Sequence, residues 1–77
     1  MAEIKGQVVK RMFAVGSKSE REAVFLVTKK DLYLLRQIGR NPYKDPELEQ
    51  LVGKTIKAKG EIDDYMLLLS DWKVIED

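Results

Sequence analysis

Three carboxylates, Glu61, Asp63 and Asp64, fall within four residues of one another and are the densest acidic group in the chain. Acids this close could hold a cation. Their spacing is not that of a calcium loop, however, so the reading the residues support is a solvated turn. The 77 residues contain no cysteine and no histidine, which removes thiolate nucleophiles, imidazole bases and the usual zinc ligand sets. The remaining acids and lysines form no pair that stands out as general acid and base, so no catalytic residue, metal or cofactor is expected. A second group has a different chemistry. Phe25 lies in a stretch, EREAVFLVTKKDLYLLRQ (20–37), that also carries Arg21, Lys29, Lys30 and Arg36. An aromatic face ringed by cations suits a base stacked between phosphates; the same residues among Val27, Leu32 and Leu34 suit a protein contact.

Charge is distributed unevenly. Residues 1–44 have ten Lys/Arg against four Asp/Glu and residues 45–77 have four against nine, opposite surpluses that leave a net +1. A basic first half can form one cationic side of a surface, or interleave with the acidic half in a closed fold. The longest apolar run, MLLL at 66–69, is far shorter than the roughly 20 residues of a membrane-spanning helix, and MAEIKGQ has no apolar signal region. The expectation is a cytoplasmic protein without a membrane partner.

The elements that must position these side chains are short. IKGQVVKRMFAV (4–15) is rich in β formers, and Gly6 inside it marks a bend or bulge. GSKSERE (16–22) has loop composition and leads into AVFLV (23–27), a TKKD turn with Lys29 and Lys30 at its tip, and DLYLLRQI (31–38). GRNPYKDP, with two prolines and a glycine, is a connection. Asp45 as N-cap, Pro46 in the first helical position and Gly53 after the end predict a helix of about two turns, whose apolar stripe is Leu48, Leu51 and Val52. KTIKAKGEI (54–62) alternates strictly, with Ile56, Ala58, Gly60 and Ile62 on the apolar face. DDY is a turn, and MLLLSDWKVI (66–75) is the last strand, where Trp72 reads as core.

The order is β-β-β-α-β-β in one domain, 1–77. So small a sheet must close on itself to bury an inner face, and a short helix can then plug one open end. This predicts an all-β fold with one short helix: a five-stranded Greek-key barrel of the oligonucleotide/oligosaccharide-binding (OB) type. LVGKTIKAKGEI resembles the helix-to-strand-four signature of small stand-alone OB-fold proteins, and FLVTKKDLYLLR resembles their second and third strands. Where those proteins usually carry a glycine in the turn, this chain has Lys29-Lys30. The resemblance supplies no catalytic or binding residue, and many such proteins have no assigned activity.

A two-residue turn at Lys29-Lys30 pairs Phe25 with Leu34 and Leu26 with Tyr33, and so sorts the hairpin into two apolar faces. One holds Val24, Leu26, Tyr33 and Leu35. The other holds Ala23, Phe25, Val27, Leu32 and Leu34, ringed by Arg21, Lys29, Lys30 and Arg36. The resemblance implies that Tyr33 and Leu35 point inward. The second face then points outward as the candidate binding face, unless the chain itself covers it. Its expected use is protein interaction, most simply a homodimer; the alternative is weak single-stranded nucleic-acid binding.

Overall fold

The computed structural model describes residues 2–13, 16, 21–39 and 45–76, with Phe13, Arg21 and Glu76 described by their backbone alone. The expected 16–22 loop and the proline-containing connection therefore lie largely outside the described residues. The elements are β1 (Ala2–Phe13), β2 (Arg21–Val27), β3 (Leu32–Gln37), α1 (Pro46–Glu49), β4 (Thr55–Asp63) and β5 (Met66–Glu76). The five strands close into a ring in the order β1-β2-β3-β5-β4.

Closure depends on β1 serving two neighbours. Residues 2–7 pair with β4 and residues 7–13 with β2, both antiparallel. The change of partner falls next to Gly6, where a Cβ would meet the Val27 carbonyl oxygen at 2.5 Å and Leu26 Cγ at 2.9 Å. Gly6 thus permits a close approach where the strand passes from one partner to the other. The register shifts lie elsewhere, between β4 and β5 at Thr55/Ile56 and Lys59/Gly60. At Gly60 a Cβ would collide with the Leu68 carbonyl. The ring is completed by β3 and β5, which run parallel from Leu34↔Met66 to Gln37↔Leu69. A parallel pair needs a long crossover, and here α1 and β4 lie within it.

The interior is formed by Val8, Leu26, Leu35, Ile56, Ala58, Leu67 and Leu69, with Ile4, Val24, Tyr33 and Trp72 packed against it. Leu48 and Leu51 join this core from the helical segment, as expected of a plug. The helix itself is shorter than the sequence predicts. It is one turn capped by Asp45, whose Oδ1 accepts from the Leu48 N–H at 3.4 Å. Residues 51 and 52 then bond back three residues, to the Leu48 and Glu49 carbonyls. The turn is stopped by Gly53, which takes φ +91° and donates to the Val8 carbonyl at 2.8 Å, while the Val8 N–H donates to the Lys54 carbonyl at 2.9 Å. This anchoring to β1 leaves Val52 exposed, so two side chains, not three, fill the end. Lys10 of β1 adds a 3.1 Å ion pair with Glu49.

The alternation of β4 holds for Ile56, Ala58 and Gly60, all buried, but Ile62 is exposed. Ile62 still pairs with the buried Leu67 of β5, but it lies beyond the last described pair between β1 and β4, Ala2↔Gly60.

Candidate functional site

The β2–β3 turn is closed by Thr28. Its N–H donates to the Asp31 carbonyl at 2.9 Å, and its Oγ1 accepts from the Asp31 N–H at 2.9 Å and the Lys30 N–H at 3.3 Å. A threonine hydroxyl thus secures a lysine-tipped turn. The register is Phe25↔Leu34, Leu26↔Tyr33 and Val27↔Leu32, which sorts the faces as expected. Leu26 and Leu35 belong to the interior; Ala23, Phe25 and Leu34 form a separate cluster with Val9 and Met66.

Pairing carries that outer cluster around the wall. Val9↔Phe25, Phe25↔Leu34 and Leu34↔Met66 are successive cross-strand partners over β1, β2, β3 and β5. The exposure expected of this face is not found at its centre, where Phe25 is only 7% and Leu34 8% exposed. They are outer core, because side chains on neighbouring strands supply apolar surface for one another. The rest of the candidate face is divided. Leu32 is exposed, Val27 half-buried, and Lys29, Lys30 and Arg36 exposed, while the Arg21 side chain lies outside the described residues.

The end of the ring that carries Leu32 also carries residues the sequence did not associate with it. The Leu34 N–H donates to the Tyr65 carbonyl at 2.8 Å, which draws the β4–β5 turn against the start of β3. Ile62 and Tyr65 then stand at the same end of the ring as Leu32, and the three are 45%, 49% and 44% exposed. Lys29 and Lys30 border this rim from one turn; Asp63 and Asp64 border it from the other. Asp64 adopts φ +58° in a two-residue turn, a conformation aspartate tolerates better than most side chains. Half-buried Tyr33 lies beside the rim, and its hydroxyl donates to Asp31 Oδ2 at 3.3 Å. Burial, together with the Asp31 charge, raises its ionisation above the ordinary phenol value.

Among the described residues no group of three or more acids is placed to hold a metal ion, and no helix is long and apolar enough to cross a membrane. No family model matches the sequence, no curated protein is significantly similar to it, and no solved structure matches its fold.

Proposed function

We propose that the chain is a cytoplasmic OB-fold binding module of Greek-key type that acts through self-association. Support for the fold reading comes from the strand order β1-β2-β3-β5-β4 with the helical turn between β3 and β4, the arrangement of a small five-stranded barrel. The observation that carries the function is the rim where Leu32, Ile62 and Tyr65 are all exposed. Large apolar side chains left exposed at one end of the ring favour a partner.

A second copy of this chain is the partner the charges fit. Lys30 on one turn and Asp63 and Asp64 on the other flank the apolar trio, and among the described residues none of the three makes an ion pair. In a two-fold interface each patch meets its own copy, so the lysine turn of one protomer faces the aspartate turn of its partner. Burying the trio supplies the attraction, and the opposed charges set the orientation.

Sedimentation velocity over a concentration series tests this. The wild-type chain is expected to dimerise, and Leu32→Asp with Ile62→Asp is expected to sediment as a monomer with an unchanged circular dichroism spectrum. Lys30→Glu and Asp64→Lys should each weaken the dimer, and together should restore it. A wild-type protein that stays monomeric throughout the series would overturn the proposal.

A further inference from the structure

On the outer wall formed by β1, β4 and β5, two adjacent cross-strand rows differ in sign pattern. One row is Glu3↔Lys59↔Asp71, alternating in charge. The next is Lys5↔Lys57↔Lys73, three lysines directly opposite one another. All six are exposed. Opposite charges across a pair support a sheet, whereas like charges oppose it. The first row is what folding alone favours. The second costs stability, and the intramolecular relief is limited: Glu3 pairs with Lys57 at 2.9 Å and reaches Lys59 at 3.8 Å. Among the described residues, no carboxylate pairs with Lys5 or Lys73.

The lysine row opens at its β1 end into a groove lined by Lys5, Gly6, Gln7, Val27, Thr28, Lys29 and Thr55. It contains two cations, two hydroxyls and an amide, and no acid. Lys29 thereby continues the row, so that Lys29, Lys5, Lys57 and Lys73 form one track over the β2–β3 turn, β1, β4 and β5.

We infer that this track binds the phosphodiester backbone of a single-stranded nucleic acid. The cations are arranged as a line, with neighbouring strands about 4.8 Å apart, and a line of charge fits a chain of phosphates better than an isolated anion. The width selects one strand. Glu3 and Asp71 border the lysine row on one side, and a second phosphate backbone on that side would lie over them. Trp72 borders Lys57 and Lys73 in one surface depression but packs against the interior, so the track provides mainly charge, and binding is sequence-tolerant and weak. The site lies on a different wall from the Phe25 cluster and requires no dimer.

Fluorescence anisotropy with a labelled oligothymidylate, titrated with the full chain across a salt series, is the test. Engagement of three to four phosphates gives a log–log salt slope of about −2 to −3 for a single strand. The variant combining Lys5→Gln, Lys57→Gln and Lys73→Gln should lose at least tenfold in affinity. It should remain folded, because it removes like-charge opposition and no packing. Lys10→Gln, outside the track, should bind as the wild type does. Absence of binding at low salt, or binding the triple variant retains, would refute the site. Tighter binding of a duplex of the same length would refute the single-strand assignment.

Discussion

The row Val9–Phe25–Leu34–Met66 and the row Lys5–Lys57–Lys73 both lie on the outside of the ring, yet one is outer core and the other is solvated. Strand geometry treats them alike, since each consists of side chains that alternate away from the interior. Their difference lies in what adjoins them. Four apolar side chains in consecutive registers cover one another, and the smallest and largest of them, Val9 and Phe25, are direct partners. Lysines in consecutive registers repel one another and extend into water. A residue that points out of a closed sheet is therefore not necessarily exposed; the identity of its cross-strand partner decides.

Substitution at the centre of each row should break this comparison most sharply. Phe25→Ala removes a buried ring and is expected to cost about 3–5 kcal/mol, a large part of the roughly 4–12 kcal/mol typical of a chain this size. Lys57→Ala, on an exposed position, should stay within about 0.5 kcal/mol of the parent. Urea denaturation followed by circular dichroism would compare the two. Equal, small effects would show that the Phe25 row is no more structural than the lysine row.

A smaller effect of opposite sign is expected from Lys5→Glu, which replaces one of the row's two like-charge oppositions, Lys5↔Lys57, with an opposite-charge pair and leaves Lys57↔Lys73 as it is. It should stabilise the fold by about 0.2–1 kcal/mol at low salt and by less as salt screens the charges. A destabilised Lys5→Glu chain would mean that the lysines do not oppose each other at the register assigned to them.

The smallest change concerns acid. The Lys57 hydrogen bond and its charge, with a further contribution from Lys59, hold the Glu3 carboxyl below its ordinary value. A carboxyl depressed in the folded state contributes stability above its unfolded pKa and loses it as pH falls through the lower folded value. Because the group is exposed, that contribution is small and salt-sensitive. Stability measured against pH should therefore fall slightly less steeply below pH 4.5 in Glu3→Gln than in the parent. An unchanged acid limb would show that Lys57 is not held by Glu3 and is fully available to an outside anion.

Much of the fold was legible along the chain. The strands, the Lys29-Lys30 turn, the Asp45 cap and Gly53 stop, and the division of the hairpin into two apolar faces rest on local chemistry: alternation, φ preference and turn pairing within one hairpin. That the face with Val24, Leu26, Tyr33 and Leu35 points inward was implied by the resemblance alone. Val52 and Ile62 were misassigned because each follows its local pattern and fails only through distant contacts. Val52 is left outside when Gly53 bonds to Val8, and Ile62 lies beyond the last described β1–β4 pair, Ala2↔Gly60.

Relations between strands that are not consecutive were decided only by the tertiary structure. The sequence determined which residues alternate, where turns form and that an apolar outer face exists on the β2–β3 hairpin. It did not determine that Met66 completes that face, that Tyr65 and Ile62 stand at the same end of the ring as Leu32, or that Lys5, Lys57 and Lys73 meet in one row. Each of these joins residues more than thirty positions apart at one end or the other, and pairing over such separations depends on how the sheet closes. Side-chain period within a strand is a local property of the backbone, whereas register between distant strands is set when the whole ring buries its interior at once.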